Sequence, residues 1–242
     1  MRPAQRLRLL PLFFAPAVLS GQIPPGSSDS VHPIVDTTGR PVAHAVRRDG
    51  NIILDGRLDE IAWQKAPAIT SFTQSYPTPG AKPTDPTEVM LLYDDAAFYV
   101  GVRMFDAHPD SIVAQLARRD ATGIYSDWIH VIVDSYRDRR TAFRFTVNPK
   151  GVKRDVYTSN DDDEDANWDA IWDVATRVDS LGWVAEFRIP LSQLRFGSTA
   201  PGRDRIWGFQ VMRDVARSNE RDSWSPWTPQ SPGFVSRFGD LG

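Results

Sequence analysis

The sequence predicts an all-β fold, an immunoglobulin- or jelly-roll-like β-sandwich with a few short helices. Three observations carry that expectation. Short runs with apolar residues at every second position recur along the chain, and a period of two marks a half-buried strand. Clusters of turn residues separate the runs at short intervals, as the loops of a sandwich require. Helical patterns are few, and no internal repeat suggests a solenoid or propeller.

The elements follow in order. Residues 88–93 and 98–105 are apolar β-type runs joined by Asp94-Asp95-Ala96, a short hairpin. In residues 128–134, Ile129, Val131 and Val133 point one way, and Trp128, His130 and Ile132 the other. Phe143, Phe145 and Val147 share a face, with Arg144, Thr146 and Asn148 opposite. The turn Asn148-Pro149-Lys150-Gly151 then returns the chain into a strand over 152–157. Residues 173–179 pair with 183–189 across Ser180-Leu181-Gly182. Trp183, Ala185, Phe187 and Ile189 form the core face there, and Glu186 lies on the other. Residues 206–213 follow, with Trp207, Phe209 and Val211 in core parity. Helices are expected over 59–65 and 111–119, with one turn at 192–194.

The N-terminus reads as an address. Arg2, Arg6 and Arg8 precede an apolar stretch over 7–19 that Pro11 and Pro16 interrupt, and small residues near Ser20 and Gly21 suit a signal-peptidase cut. The alternative is a buried N-terminal helix. Residues 1–21 are thus expected to be a signal peptide, 22–45 a flexible linker rich in Pro, Ser and Gly, and 46–242 the folded module. Export would place the module in the periplasm, at the outer membrane or outside the cell. No later segment approaches the roughly 20 apolar residues of a membrane-spanning helix.

Export permits disulfides, yet the chain has no cysteine, so a packed core must supply the stability. About 200 residues suffice for one large domain. With the three arginines of the leader removed, 25 basic residues face 31 acidic ones, a net of −6. An acidic domain without a basic stripe is a poor partner for nucleic acid or an anionic membrane.

Catalytic signatures are sparse. A thiol nucleophile is impossible, and no Gly-x-Ser-x-Gly elbow, His-Glu-x-x-His, Walker loop or dinucleotide fingerprint occurs. Of four histidines, His32 and His44 fall in or near the linker, leaving His108 and His130 isolated. Glycoside hydrolysis needs only two carboxylates; Glu186, an acid inside an apolar strand, is the candidate, with a salt bridge or hydrogen bond to a neighbouring strand as the simpler reading. The acidic run Asp161-Asp162-Asp163-Glu164-Asp165 lacks the glycine and glutamate of an EF-hand loop. It reads as a solvated loop, with a looser calcium site as the alternative. The inventory favours a binder over an enzyme.

The strand order and punctuation resemble family 9 carbohydrate-binding modules over residues 46–242. The residues that carry this are Ile53-Leu54-Asp55-Gly56-Arg57-Leu58-Asp59-Glu60 with Trp63, and Tyr93-Asp94-Asp95 with Phe98-Tyr99-Val100-Gly101-Val102. The strand from Asp127 to Asp134 and Phe145-Thr146-Val147-Asn148 follow. Gly182-Trp183-Val184-Ala185-Glu186, Ile189-Pro190, Ser223-Trp224-Ser225 and Phe238-Gly239-Asp240-Leu241 complete the series. The Asn148–Gly151 turn, Arg195-Phe196, and Arg213 before Trp224 are also similar to bacterial outer-membrane proteins of uncharacterised function, in which such a module precedes a C-terminal β-barrel. The chain stops about where that barrel would begin, as a truncated product or fragment would.

The resemblance implies binding of a polysaccharide or oligosaccharide between aromatic rings, with polar side chains on the sheet fixing the hydroxyls. It places the stacking aromatics near Ile124, beside Tyr125, and near Ser231-Pro232, with Trp224 and Trp227 just before. His130 and Thr146 stand where the family has an acid and an arginine, and Asn148 matches a polar residue. Tyr125, Trp128, His130, Arg144, Thr146, Asn148, Trp224 and Trp227 are therefore the candidate ligand contacts. No cofactor is expected; a structural calcium is implied as an option, with Asp94, Asp95 and the run near Asp161 as available oxygens. The leading expectation is an exported, cell-envelope carbohydrate-binding module, linked to glycan degradation. The alternatives are a non-glycan soluble domain of an outer-membrane barrel protein and a glycoside hydrolase.

Overall fold

The computed structural model describes residues 34–197 and 204–242. The expected signal peptide and the first part of the expected linker lie outside them. Among the described residues, fourteen strands form two sheets. The first is five-stranded, in the order β10 (Asp173–Asp179), β11 (Gly182–Pro190), β5 (Ala97–Phe105), β4 (Thr87–Tyr93) and β2 (Val46–Arg47).

The second sheet has nine strands. Its main path runs β1 (Val42–Ala43), β14 (Gly239–Leu241), β12 (Trp207–Val215), β6 (Trp128–Asp134), β7 (Ala142–Val147), β8 (Lys153–Ser159) and β9 (Asp163–Asp165). The C-terminal half of β12 leaves β14 and pairs with β13 (Glu220–Ser223), which in turn pairs with β3 (Thr73–Tyr76). Most neighbours are antiparallel; β1 with β14 and β2 with β4 are parallel. Residues 42–43, expected within a linker, therefore belong to the sheet.

The alternation sets the packing. Ile129, Val131, Val133, Phe143, Phe145, Val147, Phe209 and Val211 meet Val100, Val102, Trp183, Ala185 and Phe187 in one core, as period two predicts. Trp172 stacks on Phe187 at 5.6 Å, and Phe98 meets Trp207 edge-on at 5.8 Å.

Each sheet is also partly covered outside. On the five-stranded sheet, helix α1 (Ile61–Lys65) lays Ala62 and Trp63 over Leu92, Ala97 and Tyr99. Gly101 permits this approach, because a Cβ there would lie 2.6 Å from Leu58 and 3.1 Å from the Trp63 ring. On the nine-stranded sheet, Phe234, Val235 and Phe238 cover Ile132, Ala142 and Met212.

Two helical expectations are met by α1 and by a single 3-10 turn at Leu191–Gln193. The third is not. Only Pro109–Ser111 forms a 3-10 turn, and residues 112–119 are irregular. Tertiary hydrogen bonds take the backbone instead: Val113 accepts from the Asp127 N–H, and Gln115 accepts from the Asn148 side chain. Helix propensity is a weak prior against such contacts.

Candidate functional site

The outer face of the nine-stranded sheet gathers its polar side chains beside the covering segment. His130 on β6 stands opposite Met212 on β12 and Thr146 on β7, and Asp214 stands opposite Arg221 on β13. These registers bring them into one hydrogen-bonded chain. Asp214 accepts from the Arg221 guanidinium through Nε and, at 2.6 Å, through NH2. The His130 Nε2 lies 3.1 Å from Asp214, and its Nδ1 lies 3.0 Å from the Thr146 hydroxyl. A carboxylate only accepts, so Nε2 carries the proton and Thr146 donates to Nδ1.

Burial pulls the His130 imidazole below its ordinary value of 6.5, against the pull of Asp214, so the ring is neutral at pH 7. Burial alone would raise Asp214, but His130 and Arg221 outweigh it and hold the carboxyl well below the usual carboxylate range.

A cleft of about 200 Å³ opens over this chain, lined by His130, Arg144, Arg221, Glu164, Trp227 and Phe234, with Met212 and Asp162 completing it. Its wall is aromatic: Trp227 meets Phe234 edge-on at 5.4 Å, and Phe234 meets Phe238 at 5.1 Å. Arg144 lies over the Phe234 ring at 5.2 Å and reaches Glu164 of β9 at 2.6 Å.

The acidic run has a structural task here. Asp161 accepts from the N–H groups of Phe234 (3.0 Å) and Ser236 (2.8 Å) and from the Ser236 hydroxyl (2.8 Å). It thereby clamps the segment that carries the wall. Gly233 must be glycine for this, since it has φ +74° and a Cβ would lie 2.1 Å from an Asp161 oxygen. Replacing Asp161 by alanine should cost about 1–2 kcal/mol of stability and weaken any ligand of the cleft. Urea unfolding and titration calorimetry on the same variant would measure both; unchanged values would remove the clamp.

The candidate contacts divide. His130, Arg144 and Trp227 line the cleft, and Thr146 supports His130. Trp128 shares their face but is buried, with Arg154 at 5.8 Å over its ring. Tyr125 is 61 % exposed, does not line the cleft, and donates its hydroxyl to the Ala216 carbonyl. Asn148 is fully buried in its turn, where it accepts from Lys150 and Val152 and donates to Gln115 and Ser126. Trp224 packs in the core against Phe209.

Arg221, Asp214 and Phe234 are not among the candidates the sequence offers, and Glu164 is there only as part of the acidic run. The parity of β12, which puts Met212 and Asp214 opposite Phe209 and Val211, held the signal for Asp214. The polar β13 and the Gly233-Phe234 loop have no periodicity to read.

Glu186, the acid a hydrolase would use, is fully buried beneath α1. It accepts from the N–H groups of Asp55 (3.1 Å) and Gly56 (2.9 Å) and from the Trp63 indole (3.1 Å). Three of the carboxylates considered for calcium are committed elsewhere. Asp94 accepts from Arg48, Tyr99, Ala96 and Ala97, Asp95 pairs with Arg47, and Asp161 holds the wall. Among the described residues, no cluster of three or more His, Asp or Glu is arranged to hold a metal ion. Engaged in this way, Asp94, Asp95 and Asp161 do not offer a calcium ligand set.

A β-sandwich that opens an aromatic-walled, polar-floored cleft on the outer face of one sheet defines a ligand-binding module. The family model described as "Carbohydrate family 9 binding domain-like" matches residues 53–239, and the chain belongs to that family. Among solved structures, it is similar to a family 9 carbohydrate-binding module from Caldicellulosiruptor kristjanssonii in complex with cellotriose. The TM-score is 0.58 and the identity 21 %, over 83 % of this chain and 92 % of that one. The glucose complex gives 0.59 and 20 %, over 83 % and 94 %. A putative carbohydrate-binding protein from Bacteroides uniformis gives 0.61 at 13 % identity, over 83 % and 97 %. No curated protein matches the chain.

Proposed function

We propose that the cleft over β6, β7, β12 and β13 binds a saccharide, and that the chain acts as a carbohydrate-binding module of the cell envelope. The observation that carries this reading is the cleft of a family 9 domain: the Trp227 and Phe234 wall faces the polar side chains of His130, Arg144 and Arg221. In that wall the half-buried Trp227 is the ring that can meet the C–H face of a sugar, and the polar groups serve the hydroxyls on its rim. The neighbours' ligands, cellotriose and glucose, name the first compounds to try. The expected place is outside the cytoplasm, on the strength of the arginine-led apolar N-terminus.

Titration calorimetry with cello- and xylo-oligosaccharides and peptidoglycan fragments tests the reading. Saturable binding is expected, and Trp227→Ala should weaken it at least tenfold, about 1.4 kcal/mol. Absence of binding to every saccharide would sink it. A second reading, the soluble domain of an outer-membrane barrel protein, draws on the Asn148–Gly151 turn and Arg195-Phe196. Barrel-like alternating strands encoded downstream of Gly242 would support that partner; they are compatible with saccharide binding by the module.

A further inference from the structure

We propose that the cleft selects an acidic saccharide, a sugar ring whose carboxylate docks on Arg144. This rests on the reading of the cleft as a saccharide site and adds the ligand's charge.

The charges on the floor do not balance. Two guanidiniums, Arg144 and Arg221, share the cleft with one largely buried carboxylate, Asp214. The oxygens of Asp214 are already engaged by Arg221 and His130, and the neutral His130 ring adds no charge. Arg144 therefore has no buried counter-ion. Its acidic partner is Glu164, whose side chain is 49 % exposed against 16 % for Arg144. Glu164 stands on β9, a three-residue edge strand with every residue exposed. An exposed pair of this kind contributes little and is readily exchanged.

The guanidinium is also incompletely used. Glu164 takes NH2 of Arg144, while the adjacent Nε–H is buried without an acceptor. Nε and NH2 form the side-on edge that receives both oxygens of a carboxylate. One half of that fork is held by a removable anion and the other half is vacant. A ligand carboxylate that displaces Glu164 would satisfy both donors and leave Glu164 free in solvent. Arg154, on the strand beside Thr146, adds positive potential. Asp162, the remaining acid of the lining, is exposed, so solvent and salt screen it.

The aromatic wall supplies the other half of the specification. A bare anion has no face for the half-buried Trp227 ring, whereas a uronic acid presents a C–H face and a carboxylate on one ring.

The test compares trigalacturonate with cellotriose by titration calorimetry on the full chain, at low and high salt. Trigalacturonate is expected to bind at least tenfold more tightly at low salt, with the preference shrinking at high salt. Glu164→Gln, which removes the competing internal anion from an exposed position, should strengthen uronate binding several-fold, an effect a merely structural role would not produce. Arg144→Gln, checked for folding by circular dichroism, should erase the preference. Equal binding, or preference for cellotriose, overturns the acidic selectivity and leaves the saccharide site standing. Binding of neither sugar overturns the acidic selectivity, and the saccharide site falls with it when the xylo-oligosaccharides and peptidoglycan fragments fail as well. Weaker uronate binding in Glu164→Gln overturns the displacement.

Discussion

Replacing Glu186 by leucine is expected to cost about 3–5 kcal/mol of folding stability, because it strands two buried donors and a part-buried one at once. The two N–H groups of Asp55 and Gly56 and the Trp63 indole all end on its carboxyl group. Together they pin the loop and helix that seal the five-stranded sheet. Leucine fits the apolar strand but accepts nothing, so the Gly56 N–H and the Trp63 indole lose their partner without regaining water. Urea unfolding of the variant against the parent measures the loss, and a change under 1 kcal/mol would show that the loop rearranges to find other acceptors.

The same residue sets a pH dependence. Burial pushes the Glu186 carboxyl up from 4.5 to about 7; the Gly56, Asp55 and Trp63 donors oppose this, and Glu60 adds to it. Between those two values the folded chain holds a proton that the unfolded chain has released. Stability from this group is therefore fully present below pH 4.5 and declines as pH rises through 7, by up to about 3 kcal/mol. Glu186→Gln has no proton to lose there, so its pH 5 to pH 8 stability profile should be flatter than the parent's. A parallel profile would place the titration elsewhere.

The second large effect falls on the cleft. Asp214→Ala should destabilise the fold by about 2–4 kcal/mol, below the ~3–5 of a fully buried pair. Arg221 keeps 26 % of its side chain in solvent and can rehydrate in part. The loss to binding is separate. Without Asp214, neither the Arg221 fork nor the His130 tautomer is held, and saccharide affinity should fall at least tenfold, about 1.4 kcal/mol. Asp214→Asn keeps the shape and one acceptor and should fall between the two. Calorimetry on variants that remain folded separates binding from stability; full affinity in Asp214→Ala would show that the chain of side chains on the sheet is scaffolding alone. The depressed carboxyl of Asp214 adds stability above its ordinary value of 3.8, which is lost as pH falls through the folded value.

The cleft also explains why aromatic residues were poor guides to it. Eight tryptophans were available to the sequence reading. Trp224 and Trp227 stand only three residues apart, yet one ring packs between the sheets and the other forms a wall. Asn148 matched a family position, but its side chain is consumed by the turn that its own sequence demands. A residue's type states what it could contact; the ladder on either side decides what it does contact.

Strand positions and facing were legible in the linear sequence. The strand over 128–134 and the strand over 173–179 lie where the alternation put them, as do the core faces of β6, β7, β11 and β12. Successive side chains of a strand must point to opposite faces, and burial of one face is a local constraint that each short segment carries within itself. The short strands β1, β2, β3, β9, β13 and β14 have no such pattern and exist through their neighbours. The cleft belongs to that second kind of information. His130 meets Asp214 across 84 residues, and Asp161 holds Ser236 across 75. Those pairings depend on sheet order and register, which bring distant polar side chains onto one face, and no local period encodes which strand will lie beside which.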